Sequence, residues 1–221
     1  MFPQLGPSVG FICAVGGFLL LSAVLDDAQF RAWGWRIPFL ASALLVMVGL
    51  YVRLKLAETP VFAKAMAEFQ PMRLPLAELF AHHAWPTLLG ALAMVVCYAL
   101  FYLITVFALS YGVATLHIPR AEFLAMLCIA IVFMAAATPL AASAADRYGR
   151  RPVLMAAGSA ALLSGFLFAP ALQSGSLLVI TAFLSLGLFL MGATYAPMGA
   201  LLPELFPTRV RYTGAGVAYN I

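Results

Sequence analysis

The chain has 221 residues, 65% hydrophobic and 9% charged, with a formal net charge of +4. A soluble domain carries roughly 25% charged residues and about half apolar ones, so this composition belongs to a chain solvated by lipid, whose unit is a membrane span of about 20 apolar residues. The net positive charge is no nucleic-acid footprint, because Lys and Arg sit at the ends of apolar runs instead of clustering on a soluble face.

Stretches free of Asp, Glu, Lys and Arg mark the spans. The first runs from Met1 to Leu25. No basic region precedes it, so a cleaved signal peptide is not expected, and Gly6 and Gly10 form a GxxxG step that predicts close helix packing. The second covers Ile37 to Val52, extended through the interface by Trp33 and Trp35. Residues 53–84 are the only long polar connection, and their alternation of apolar and charged residues predicts one or two short amphipathic helices on the membrane surface, divided by Pro60, Pro71 and Pro75. His82 and His83 end this connection; adjacent histidines point to different faces of a helix and no third ligand is evident, so no metal site is expected.

The third span contains Trp85 to Tyr111 and the fourth Phe123 to Ala144. From Pro152 to Pro203 there are 52 residues without a charge. One helix of that size would be about 78 Å long, far more than a hydrocarbon core of about 30 Å. The turn signal Gln173-Ser174-Gly175-Ser176 divides it into a fifth span, 153–172, and a sixth, 177–201. A seventh helix starts after Tyr212 and stops within nine residues at Ile221. The chain is therefore expected to be a fragment, with Met1 an internal methionine.

Cys13, Cys97 and Cys128 all lie in apolar runs without disulfide or zinc spacing and read as small core residues. Loop arginines and lysines set the orientation. Arg31, Arg36 and Arg120 fall on one side, whereas Arg53, Lys55, Lys64, Arg73, Arg147, Arg150, Arg151, Arg209 and Arg211 fall on the other. The richer side is cytoplasmic, which places loops 53–84, 145–152 and 203–212 there and the Trp33–Trp35 anchor on the outer face.

No ionisable residue lies deep in a span. This argues against a proton relay confined to this stretch, and against a membrane-embedded enzyme, which would need a base or metal ligands. Polar neutral residues do occur. Tyr98, Tyr102 and Thr105 fall at i, i+4 and i+7, one stripe of a helix, and Thr194, Tyr195 and Met198 sit near Gly192, Pro197 and Gly199, breakers tolerated at membrane depth where a helix lines a cavity. Two readings stand: a polar cavity wall formed by Tyr98, Tyr102, Thr105 and Tyr195, or tyrosines satisfied by neighbouring helices or the interface. The run Ala156-Ala157-Gly158-Ser159-Ala160-Ala161 leaves one helix nearly smooth for close packing.

Four of the chain's 20 charged residues fall within Ala145-Asp146-Arg147-Tyr148-Gly149-Arg150-Arg151. Phosphate anchoring on the cytoplasmic side accounts for the three arginines. It leaves over Asp146, an anion where the helix dipole disfavours one, and Gly149, which permits a turn with positive φ. An Asp held against its own helix end points to another partner, either the arginines or the N-terminus of a neighbouring helix.

The D-R-x-G-R-R pattern between two spans resembles the cytoplasmic loop signature of the major facilitator superfamily. Three further stretches, W-G-W-R-I-P-F (33–39), R-L-K-L-A-E-T-P-V-F (53–62) and P-E-L-F-P-T-R-V-R-Y-T-G-A (203–215), resemble its metabolite:proton symporter branch, which includes carriers of α-ketoglutarate, citrate, shikimate and proline or betaine. The resemblance runs along essentially the whole chain, with one departure: Ala142 stands where the signature usually opens with Gly. It implies an all-α integral membrane fold of twelve helices, of which this chain holds helices 5 to 10 complete and the start of helix 11. Residues 1–52 are then the last two helices of the N-terminal bundle, 53–84 the central cytoplasmic loop and 85–221 the C-terminal bundle.

The resemblance further implies proton-coupled symport of a small organic acid or zwitterionic metabolite by alternating access, in the plasma membrane, by a monomer when full length. It calls for no cofactor beyond the proton gradient. Asp146 would meet the helix N-terminus near Gly6-Pro7-Ser8, Arg147 or Arg150 would pair with Glu204, and Gly149, Arg151 and Arg209 complete the gating set. The family's proton-coupling acids usually lie in the first bundle, whose first four helices fall outside this stretch. The alternatives are a truncated membrane protein with no transport of its own and, disfavoured by the missing intramembrane acids and bases, an unrelated multi-pass enzyme or channel.

Overall fold

The computed structural model describes residues 2–55 and 75–220. Pro60, Lys64, Pro71 and Arg73 lie outside the described residues. Within them every element is helical. A short turn, Phe2–Leu5, leads into α1 (Gly6–Val24); Asp27–Gln29 and a π-helical turn at Phe30–Gly34 lead into α2 (Arg36–Lys55). The second described segment holds α3 (Pro75–His82), α4 (Ala84–Ala114), α5 (Arg120–Tyr148), α6 (Arg150–Gly165), α7 (Phe168–Leu172), α8 (Leu177–Glu204) and α9 (Arg211–Asn220).

Among the described residues, five helical stretches are long and apolar enough to cross a membrane: Gly6–Val24, Phe30–Val52, Ala84–Ala114, Arg120–Tyr148 and Leu177–Glu204. The expected fifth span, 153–172, is not one continuous helix. It breaks at Phe166-Leu167 into α6 and α7. Pro170 is the cause: it has no N–H to offer the Phe166 carbonyl, and its ring crowds that same carbonyl. The chain tightens there instead, with Phe166 N donating to Leu163 O at 3.2 Å and Leu167 N to Ser164 O at 3.0 Å.

The core lies between α5 and α8, the most extensively packed pair, with α1 on α5, α4 and α6 on α8, and α9 on α4. Ala130, Ala137, Leu184 and Leu188 are fully enclosed there. The approach is close because Gly192 has no side chain. A Cβ at that position would stand 2.7 Å from the Met134 carbonyl oxygen and 3.1 Å from Ala137 Cβ. Gly187 likewise admits Ile104 of α4, whose Cδ1 would be 2.5 Å from an added Cβ.

The predicted GxxxG contact is not where the helices meet. A Cβ on Gly6 or Gly10 would touch nothing within 4 Å; spacing marks a possible contact face, and the partner helix here packs elsewhere on α1. The smooth stretch of α6 does pack: Ala157 joins Ala141, Ala193 and Ala196 in a buried alanine contact with α5 and α8, with Ala142 and Val153 beside it. Of the cysteines, Cys97 is buried and Cys128 half-buried, but Cys13 is exposed, since that face of α1 points away from α5. Helix α3 is amphipathic as expected, yet it is pinned to the bundle. Leu79 is wholly buried, and the helix packs on α4 and α9 while Leu76 and Phe80 stay exposed.

The predicted consequence concerns Gly192. Gly192→Ala pushes a methyl into a backbone carbonyl, and such overpacking costs about 1–3 kcal/mol. Its melting temperature in detergent should drop by several degrees, while Gly158→Ala, which faces open space in a helix interior, should keep or slightly raise it.

Candidate functional site

The site on the expected cytoplasmic side is built by one corner. Helix α5 begins after Pro119 and runs 29 residues through Pro139 to Tyr148. It stops where Gly149 takes φ +92°, and α6 starts at the next residue. Gly149 N donates to Ala145 O at 3.0 Å. A single residue thus both closes one helix and opens the next, in a region of backbone that a side chain would strain. Pro152 falls in the first turn of α6, where its missing N–H costs nothing.

This corner fixes the charges. Arg150, first residue of α6, donates to Glu204, last residue of α8, in an ion pair between their side chains. Arg147 does not share that pair; its guanidinium lies 5.3 Å from the ring centroid of Tyr148. Arg151 and Arg209 are exposed. Asp146 is exposed too and, together with Arg150, lines a cavity of about 520 Å³ whose opposite wall is Gln4 and Leu5, the turn that leads into α1. Pro139 and Ala142 of α5 and Pro197 and Gly199 of α8 complete it. Gly199 matters because the Gln4 side-chain amide occupies the space a Cβ would need. The structure therefore brings Asp146, Arg150, Glu204 and the start of α1 to one place, and leaves Arg147, Arg151 and Arg209 around it.

The second set divides. Tyr98, Tyr102 and Thr105 do not form one stripe. A π-helical turn at Leu103–Phe107 inserts an extra residue per turn into α4 and rotates the residues beyond it about the helix axis. Thr105 is buried at 6% exposure and donates to Phe101 O at 2.6 Å, whereas Tyr102 is 59% exposed. Tyr98 and Tyr195 do converge, on a residue that sequence reasoning missed. Tyr98 Oη donates to the Tyr219 carbonyl at 2.7 Å, and Tyr195 Oη lies 2.5 Å from Tyr219 Oη. The Tyr219 ring stands edge-on to Tyr98 and steeply inclined to Tyr195. This trio ties α4, α8 and α9 together. Beneath it, Cys97 Sγ donates to Thr194 Oγ1 at 3.4 Å.

Intrahelical threonine contacts precede a proline in each helix of the core pair. Thr138 Oγ1 donates to Met134 O at 3.0 Å just before Pro139, and Thr194 Oγ1 contacts Leu190 O at 3.1 Å and Met191 O at 2.9 Å ahead of Pro197. Such back-bonding accompanies bent helices.

Comparison with known proteins places this architecture. The Major Facilitator Superfamily profile matches residues 4–221. The chain is 47% identical to the inner membrane metabolite transport protein YhjE of Escherichia coli (strain K12), covering 100% of this chain and 51% of that protein. It is 33% identical to the shikimate transporter of the same organism, covering 99% and 50%, and 28% identical to the proline/betaine transporter of Salmonella typhimurium, covering 98% and 45%. The chain spans about half the length of these curated relatives. No solved structure matches it. With the family profile matching residues 4–221, this chain is a member of the major facilitator superfamily.

Proposed function

We propose that this chain is the central part of a secondary transporter that carries a small organic acid or zwitterion across the inner membrane together with a proton. The observation that carries the reading is the corner at Gly149, which sets Asp146 across a cavity from the start of α1 while Arg150 is paired with Glu204. In an alternating-access cycle two bundles rock about a midplane site. On this reading residues 1–52 belong to the first bundle, 53–84 to the cytoplasmic connection and 85–221 to the second bundle, and the helices correspond to the fifth through eleventh of twelve. Asp146 then faces a helix N-terminus of the opposite bundle, where an anion is favoured by roughly 0.3–2 kcal/mol. The Arg150–Glu204 pair, with the Glu204 side chain 60% exposed, adds at most about 1 kcal/mol. Contacts of that size hold a closed state and still release it in every cycle.

The named activities of the relatives support the substrate class: shikimate is a carboxylate, and proline and betaine are zwitterions. Tyr98 and Tyr195 serve as the wall of the substrate cavity in the second bundle, ordered by Tyr219. On this reading the proton-coupling groups belong to the rest of the complete carrier, since no Asp, Glu, Lys, Arg or His lies deep in a span of this stretch. A membrane protein without transport of its own is the competing reading; stop codons flanking the reading frame would establish it, and further spans on both sides would remove it.

Three measurements on the complete carrier test the transport reading. Asp146→Asn should lower the initial rate of proton-driven uptake roughly tenfold, about 1.4 kcal/mol, with unchanged amounts in the membrane; an unchanged rate sinks the latch. Arg150→Glu and Glu204→Arg should each reduce uptake, and the double exchange should recover most of it, with a coupling of roughly 0.2–1 kcal/mol. Tyr195→Phe should raise KM for the transported metabolite several-fold with little change in melting temperature; an unaltered KM assigns the trio to packing alone.

A further inference from the structure

A second polar cavity lies at the other end of the bundle, about 460 Å³ in volume, where the end of α1 and the turn after it approach the link between α4 and α5. Arg31 and Arg120 line it, with Phe30 and Ile118 supplying apolar wall. The guanidinium of Arg120 stands 5.2 Å from the Phe30 ring centroid. Among the described residues neither arginine forms an ion pair or a side-chain hydrogen bond. Arg120 also opens the 29-residue helix α5, whose first N–H groups have no partner within the helix and favour negative charge. A further donor is Ser22, which lines the same cavity and whose Oγ is buried without a hydrogen-bond partner.

We infer that this cavity is a capture site for a small organic carboxylate on the face opposite the Gly149 corner. Its volume is that of a small-molecule pocket. Guanidinium forks match a carboxylate in two-point geometry, the Ser22 hydroxyl supplies a third donor, and Phe30 and Ile118 cover a hydrocarbon skeleton. The site is distinct from the tyrosine trio and joins two stretches of the chain, residues 22–31 and 113–121, at one end of the bundle. On the orientation read from the loop charges it faces outward, where it would raise the local concentration of an anionic substrate before entry. That outward placement rests on the transporter reading; the binding itself does not.

The test uses benzoate as probe and Ala121→Cys as reporter, since Ala121 lines the cavity, in a complete carrier from which the exposed Cys13 has been removed. In phosphatidylcholine nanodiscs, benzoate should slow maleimide labelling of this thiol in a saturable way. Arg31→Gln or Arg120→Gln should raise the half-protecting concentration at least tenfold, and Arg31→Lys should recover part of it. No protection, or equal protection in the glutamine variants, overturns the assignment. So does protection by phosphatidylglycerol alone that makes benzoate ineffective, which would give the site to a lipid headgroup. None of these readouts depends on uptake, so failure here leaves the transport reading standing and the reverse also holds.

Discussion

The fold depends on one backbone approach, Gly192 of α8 against the Met134 carbonyl of α5. Lipid tails are as apolar as the side chains of the spans, so burial alone drives no helix together within a membrane. Such a pair is held by contact area and dispersion, and that requires shape. The Gly192 gap, with Ala193 and Ala196 one and four residues further on against Ala141, lets these two long helices run together. Helices α1, α4 and α6 are each seated on that pair. Gly187 seats α4 through Ile104, Ala157 seats α6, and α1 lies on α5.

The charged corner exploits this rigidity. Because α5 and α8 are locked, their cytoplasmic ends carry Asp146 and Glu204 to defined positions. Gly149 then allows α6 to turn back without a loop, which sets Arg150 within reach of Glu204. The electrostatic contacts are weak individually, and the backbone supplies their accuracy. Membership in the major facilitator superfamily explains why so many of the chain's few charges are placed at this one point.

Much of this was legible in the residues themselves. Long apolar runs mark spans because lipid tolerates little else, and the scarcity of charge made Asp146, Gly149 and Arg150 conspicuous. Glu204 closed a run of 52 uncharged residues and was legible for the same reason. Other features were not. Nothing in Leu103-Ile104-Thr105-Val106-Phe107 announces a π-helical turn, since its residues are ordinary span residues, so the face on which Thr105 lies could not be read by counting. The glycines illustrate the same limit: Gly6 and Gly10 have the better spacing, while Gly187 and Gly192 have the neighbours. Tyr219 sits in a helix too short to show a pattern, and its two partners lie 24 and 121 residues away. Pro170 was visible and still hidden, because an unbroken apolar composition masks a break that only backbone hydrogen bonding reveals.

Pro139 and Pro197 border the same cavity from two different helices. Each frees one carbonyl, those of Ala135 and Ala193, from its rung of the helical ladder, and each is preceded by a threonine bound to its own backbone. The weak points of the two central helices therefore stand level with each other, on the cytoplasmic side of the Gly192 contact. A bend in one alone would pry Ala141 from Ala196 and open a void between them. A bend in both preserves that contact and carries the ends, with Asp146 and Glu204, as one rigid flap. Any bend at these prolines that spares the alanine contact must therefore move Asp146 and Glu204 together.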